Sequence, residues 1–333
     1  MDRIKSMISL RSEFRPPPAA FTEKDMPDLT GKVFLVTGGS SGVGLELCRI
    51  LYHRGGRVIV GGRSEKAFLS AADNVKANPA TGLGGSPKGS LEFLYIDLSD
   101  LATVKPAAQE LLSKINRLDV VWYNAGVMIP PVGSKTKQGY ELQWGTNVVA
   151  HFLLNRFLSP LQIKTAESAP ESSVRTIWIS SAAHHDGPEP YGINFGDINY
   201  EHCNKKPDPM LTYAQSKAGD VLCAFEYAKQ VSDKGIVSLS LNPGFLRTNL
   251  QRNFGLILRQ TVLRLMLFPA RLGALTELYA GFASELTAKK GFVYIIPWGR
   301  IGPLNKRVLL GLEEHGTSQK LWAILAKETD KYM

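Results

Sequence analysis

Val33-Phe34-Leu35-Val36-Thr37-Gly38-Gly39-Ser40-Ser41-Gly42-Val43-Gly44 is followed directly by the apolar-periodic run Leu45 to Leu51. The order is a short buried strand, a glycine turn and a helix start, and that context separates a phosphate-binding glycine motif from a turn merely rich in glycine. Each glycine has a use: Gly38 permits the tight turn, Gly42 lets backbone approach a pyrophosphate, and Gly44 lets the helix pack against the strand. The open amides of the helix start, from Ser40, Ser41 and Val43 onward, attract phosphate oxygens. A plain strand-to-helix turn is the competing reading.

Working outward, further apolar runs at Arg57 to Val60, Leu91 to Ile96, Leu118 to Trp122, Val174 to Ile179, Ile236 to Leu241 and Phe292 to Ile296 read as strands alternating with helical patterns. That alternation predicts α/β architecture around a parallel sheet. Asn124-Ala125-Gly126 follows the fourth strand, Ser180-Ser181 the fifth and Asn242-Pro243-Gly244 the sixth. Tyr213-Ala214-Gln215-Ser216-Lys217 opens a helix running to about Gln230, and a spacing of four puts Tyr213 and Lys217 on one face. An ammonium beside a phenol favours the phenolate, so the expected pKa of Tyr213 falls from about 10 toward working pH.

These motifs, in this order, resemble the short-chain dehydrogenase/reductase family from about Leu29 to Thr248 and more loosely to the C-terminus. The resemblance implies a Rossmann-type doubly wound parallel sheet in a single domain, 29–333, behind an N-terminal extension and linker, 1–28. It implies catalytic roles for Ser181, Tyr213, Lys217 and Asn147, with Ser180 as the alternative hydroxyl. The family's helix asparagine is thought to hold a water that links the lysine to solvent. Cofactor contacts carried over are Gly38, Ser40, Ser41, Gly42, Val43, Gly44, Asp97, Leu98, Asn124, Ala125, Gly126, Tyr213, Lys217, Pro243, Gly244, Leu246 and Thr248. Asp97 has a second reading as a helix cap.

Where an NAD-binding chain usually ends its second strand on an acidic residue, this one has Gly62 followed by Arg63. An arginine there can pair with a 2′-phosphate, with Ser40 as a helper, which favours NADP(H) over NAD(H). A solvated loop arginine is the other reading. The insertion Asp186 to Met210 separates Ser181 from Tyr213 by 32 positions, resembles the longer spacing of retinol-dehydrogenase-like members, and is expected to wall the pocket. The stretch 249–270 is apolar nearly all round with arginines interspersed. It reads as a substrate lid over a lipophilic ketone, aldehyde or secondary alcohol, with a peripheral membrane contact or core packing as alternatives. Residues 291–333 form a C-terminal extension whose layout, with Pro297-Trp298-Gly299-Arg300 and a helix near Lys320 to Thr329, is similar to that of fungal members. That likeness points to secondary metabolite biosynthesis by analogy.

The bulk numbers agree with an enzyme of ordinary composition. The chain has 333 residues, 44% hydrophobic and 21% charged, with a net charge of 39 minus 30, or +9. This excludes disordered and fibrous classes, and the charge, being spread out, suits a solvated surface as well as an anionic ligand. Cys48, Cys203 and Cys223 show no CxxC spacing, so no disulfide framework or zinc site is expected and a reducing, cytoplasmic setting follows. His184-His185 lacks a third metal ligand at suitable spacing. The N-terminus has no apolar core of signal-peptide length, and Pro16-Pro17-Pro18 reads as an extended linker. No repeat or nucleic-acid motif occurs. Two further readings stay open: a retinoid- or steroid-type dehydrogenase at a membrane surface, and a non-catalytic NADP-binding regulator. A homodimer through helices at Glu141 to Leu161 and Thr212 to Gln230 is left open by the resemblance.

Overall fold

A computed structural model of the chain describes residues 13–83, 88–203, 207–248, 250 and 267–333. The expected lid, 249–270, therefore lies outside the described residues except for Leu250 and 267–270.

Strand β1, Val33–Thr37, is buried on both faces and runs between β2, Arg57–Gly62, and β4, Val120–Tyr123, parallel to each. With β3, Ser90–Tyr95, β5, Arg175–Ile179, β6, Val237–Leu241, and β9, Tyr294–Ile296, it forms a parallel sheet, extended at one edge by β10, Arg300–Gly302, which runs antiparallel to β9. The order is β10-β9-β6-β5-β4-β1-β2-β3. Chain direction across the sheet reverses between β1 and β4, and outside the carboxyl ends of those strands such a sheet opens a crevice. The Rossmann-type architecture is the one expected from the sequence.

Helices cover both faces because the parallel strands are apolar on both. Helices α1, Gly42–His53, α2, Glu65–Ala77, and α6, Ala270–Phe282, enclose the core around Leu47, Trp122 and Leu278. On the opposite face lie α3, Val104–Lys114, α4 and α5, Pro209–Val231, around Phe152, Trp178 and Leu222. Helix α4 is composite: Leu142–Trp144, a π-helical turn Gly145–Val149, then Ala150–Ala166. A π turn inserts one extra residue and re-aims the side chains beside it. Two short strands, β7, Leu246–Arg247, and β8, Phe268–Pro269, pair in parallel above α6.

The chain ends are part of this packing. Glu13 is buried and accepts from Asn242 Nδ2 at 2.8 Å, and Phe14 stacks on Phe245 with ring centroids 4.3 Å apart. Glu23, also buried, takes two hydrogen bonds from Arg271, of 2.6 and 2.7 Å. After α7, Lys306–Glu314, the last helix α8, Thr317–Thr329, lies across α4 and α5. Trp322 meets Phe152 edge-on at 4.7 Å, and Arg156 pairs with Asp330 at 2.8 Å.

One buried group stands out in the α1/α6 layer. Glu277 is 0% exposed, and neither carboxylate oxygen has a hydrogen-bond partner among the described residues. Burial pushes its pKa well above the ordinary glutamate value of 4.5, so the native state keeps this proton to a higher pH than the unfolded chain does. The stability it contributes is complete below 4.5 and is lost as pH rises through the folded value, by about 1.4 kcal/mol per unit. Glu277→Gln is therefore expected to flatten the decline in stability between about pH 5 and 9. Urea midpoints across that range check it, and parallel curves for the two proteins would exclude Glu277 as the cause.

Candidate active site

The site is assembled by the glycine turn pressing on the segment after β4. Gly38 has φ +71°, and a side chain there would come within 3.0 Å of Ala125 Cα; at Gly44 one would meet Asn124 Nδ2 at 2.5 Å. Asn124 Nδ2 donates to the Thr37 carbonyl at 2.7 Å. Ser41, the N-cap of α1, makes no side-chain bond to its helix, so the first-turn amides stay open for an anion. A side chain at Gly42 would touch Thr248 at 3.3 Å, which places the far end of the β6 segment against the same helix start.

A run of hydrogen bonds leads from this turn into the neighbouring layer. Ala125 N–H donates to Thr37 Oγ1 at 3.0 Å, and Thr37 Oγ1 lies 3.1 Å from His151 Nε2. His151 Nδ1 lies 2.9 Å from the Asn147 carbonyl, an acceptor only, so the ring proton sits on Nδ1 and Nε2 accepts from the Thr37 hydroxyl. Burial brings the His151 pKa down to about 3, which keeps the ring neutral. Asn147 sits in the π turn with its side chain fully used: Oδ1 accepts from Val127 N at 2.9 Å, and Nδ2 donates to Val127 O at 3.1 Å and Ser216 Oγ at 3.0 Å.

Tyr213 and Lys217 lie on α5 beside this run, both buried. Lys217 Nζ is 5.7 Å from the Tyr213 ring centroid, and a side chain at Gly126 would come within 3.9 Å of that ammonium. The two serines part company at the end of β5. Ser180 is buried and donates to the Lys217 carbonyl at 2.7 Å, whereas the half-buried Ser181 accepts from Ala183 N at 3.2 Å and its hydroxyl helps lower the Tyr213 pKa. The expectation of an acidified Tyr213 is corrected here. Burial raises its pKa above 10.0, and this outweighs the lowering by Lys217 and Ser181.

The adenosine end is more open. Arg63 is exposed just beyond β2 and makes no hydrogen bond or ion pair among the described residues. Asp97 Oδ1 accepts from Ser99 N and Oγ at 2.9 and 2.7 Å, while Asp100 caps the following turn, so the helix-cap reading belongs to Asp100. Leu98 buries its side chain in the core, which leaves backbone for any ligand contact. At the other end Gly244, with φ +103°, packs under Trp298; a side chain there would clash at 2.5 Å. Leu246 is buried in β7, and a side chain at Gly273 would press on the Pro243 carbonyl at 3.2 Å.

A carboxyl-end crevice with a glycine turn, a Ser-Tyr-Lys set and a helix asparagine converging on it matches one family in both sequence and fold. A short chain dehydrogenase family model matches residues 32–189. The chain is 38% identical to the short-chain dehydrogenase/reductase pkfC of Emericella nidulans over 95% of its own length and 98% of that protein's. The chain belongs to the short-chain dehydrogenase/reductase family. A second fungal member, from Phomopsis amygdali, is 37% identical over 94% of each chain. The crystal structure of an uncharacterized protein from Mycobacterium paratuberculosis is 27% identical, covers 93% of this chain and 97% of that one, and superposes with a TM-score of 0.68. Members of the family are oxidoreductases that use nicotinamide cofactors, and the open amides at the start of α1 fit the phosphates of such a dinucleotide. The insertion after Ser181 docks onto α5 of this oxidoreductase through Gln215, which accepts from Asn194 N at 2.9 Å and donates to the Ile198 carbonyl at 2.8 Å. With the loop after β4 it walls a cavity of about 170 Å³ lined by Pro131, Val132, Tyr200, Pro209 and Thr212.

Three members of the site were not singled out from sequence. His151 carries no motif of its own, and Thr37 opens the glycine motif but has no role assigned from sequence. Asp220 accepts from Lys217 Nζ at 2.9 Å, and only its i,i+3 spacing from Lys217 could have flagged it.

Gly44→Ala and Gly62→Ala separate crowding from loss of glycine as such, because a side chain at Gly62 meets nothing within 4 Å. Gly44→Ala is expected to cost about 1–3 kcal/mol of stability and to weaken dinucleotide binding. Gly62→Ala should stay within about 0.5 kcal/mol. Equal urea midpoints for the two variants would contradict the close approach at Gly44.

Proposed function

We propose that this oxidoreductase uses NADP(H) and interconverts a lipophilic ketone or aldehyde with the corresponding alcohol. The observation that carries the cofactor preference is Arg63, exposed and unpaired beyond β2, following a glycine where an acidic residue would repel a 2′-phosphate. Bound in the crevice, the nicotinamide supplies or receives the hydride. The protein's share is the oxygen. Ser181, whose hydroxyl lowers the Tyr213 pKa, and Tyr213 itself would both hydrogen-bond the substrate oxygen. Tyr213 donates its proton as negative charge develops on a carbonyl oxygen, and takes one back when an alcohol is oxidised. The Lys217 ammonium opposes the burial that makes the phenol a reluctant acid. Asn147, fixed by three side-chain hydrogen bonds, is the residue that by resemblance would hold a water to pass the proton outward.

The cavity beside Thr212 sets Pro131, Val132 and Pro209 beside Ser134, Lys135, Glu141 and Asn199, so the lipophilic substrate class rests on the resemblance and on the apolar composition of 249–270. Fungal relatives over the full length support the analogy to secondary metabolism, and three free thiols, two of them buried, support a reducing cytoplasmic setting. Among the described residues no helix is long and apolar enough to cross a membrane. The face through which α4 and α5 would pair with a second copy carries α8 instead, so we propose that the protein does not dimerise there.

The decisive assay follows NADPH and NADH oxidation against a panel of lipophilic ketones, aldehydes and quinones. Tyr213→Phe is expected to lower kcat by about 10²–10⁴-fold. Arg63→Ala should raise the KM for NADPH by about 10-fold or more and leave that for NADH nearly unchanged. Gly62→Asp, which fits without a clash, should move the preference toward NADH. Equal KM values for NADPH in wild type and Arg63→Ala would refute the cofactor assignment. Undiminished turnover in Tyr213→Phe would refute the proton-transfer assignment.

A further inference from the structure

Tyr213, Lys217 and Asp220 occupy positions i, i+4 and i+7 on one face of α5, and all three are buried, at 6%, 5% and 2% exposure. Lys217 Nζ donates to Asp220 Oδ2 at 2.9 Å and to the Ile179 carbonyl at 2.7 Å. Two of its three protons are thereby committed on the side away from the phenol. The reaction as read above uses the tyrosine and the lysine and leaves the carboxyl without a task.

That carboxyl changes the electrostatics of the site. A buried ammonium alone would favour loss of the Tyr213 proton, whereas a carboxylate on the ammonium's far side cancels part of that field. Other titratable groups face this cluster from every side. His151 of α4 faces Lys217, Cys223 lies one turn further along α5, and Tyr294 of β9 faces both Asp220 and Tyr213. Burial leaves His151 neutral and pushes the Cys223 thiol and the Tyr294 phenol above their ordinary values, so none of these three carries charge near neutral pH. Glu226 faces Cys223 and Glu13 faces Tyr294, each one group removed from the ammonium. Asp220 is thus the carboxylate in direct contact with Lys217.

We propose that Asp220 is a positioning residue of the reaction, one that holds the Lys217 ammonium and by its charge sets the pH at which the Tyr213–Lys217 pair gives up its first proton. This rests on the reading of Tyr213 as the proton-transferring group. Burial raises the Asp220 pKa and Lys217 pulls it partly back, to about 7, which brings the carboxyl's titration into the working range. The three groups titrate as a unit, and the first midpoint belongs to the pair.

The test compares wild type, Asp220→Asn and Asp220→Glu. Two signals are read without substrate: tyrosinate absorbance referenced to Tyr213→Phe, and the ¹⁵Nζ resonance of Lys217. The third is the pH profile of NADP⁺-linked alcohol oxidation. Removing the negative charge while keeping the shape is expected to lower the first midpoint by about one unit, and to raise oxidation about five-fold at a pH one unit below the wild-type midpoint. Asp220→Glu, which restores the charge, should return the midpoint toward wild type. A carboxyl that served only to support the fold would shift stability and leave the midpoints together; coincident midpoints in all three proteins overturn the proposal. A displaced midpoint in the substrate-free protein with no turnover by any of the three supports Asp220's hold on the pair and counts against the oxidoreductase assignment of substrate and cofactor instead. Should Asp220→Asn fail to fold, Asp220→Ser is read in the same way.

Discussion

The Thr37 hydroxyl is the contact on which the rest of this site depends. It closes β1, accepts the Ala125 amide from the end of β4 and donates to His151, which in turn holds the Asn147 carbonyl in the π turn of α4. Three segments distant in sequence are thereby fixed at the switch point of the sheet. Each bond is neutral and buried, so each keeps its full directional value, and losing any partner would strand a polar group away from water.

Burial also decides how charge is managed. The same layer that orders Tyr213 and Lys217 removes them from solvent, and an unpartnered ammonium there would be expensive. Asp220 supplies the counter-charge within one helical turn, and His151 and His184 remain neutral, both with pKa values brought down to about 3. Lys217 therefore acts on Tyr213 as part of a pair. In the opposite layer Glu277 has no such counter-ion, and the proton it keeps takes the place of one.

The chain ends stiffen what the sheet positions. Glu23 clasps Arg271 at the start of α6, Glu13 holds Asn242 at the end of β6, and Phe14 stacks on Phe245. These contacts fall on the Pro243-Gly244-Phe245 turn and the helix behind it. At the other end Trp322 seats α8 on Phe152 of α4, burying apolar surface that would otherwise need a partner.

Short-range information was enough for much of this. Strand, glycine turn and helix start are local, and so were the parallel α/β class, the seven parallel strands and the convergence of Gly38, Gly44, Asn124, Ser181, Tyr213 and Lys217. Strand boundaries moved by at most two residues, and the three-residue edge strand β10 went unseen because so short a run carries no period. Of Ser180 and Ser181, the pleat sends one inward and one to the crevice, and the resemblance had favoured the second without a geometric reason. Tertiary structure alone decided the acid strength of Tyr213, because burial and the carboxyl of Asp220 oppose a lysine that the spacing places beside it. The same holds for His151, whose tautomer follows from partners more than a hundred residues apart in one case and four in the other. Motif spacing records which side chains can meet, whereas charge depends on how much water is left around them, and that is a property of the packed layers.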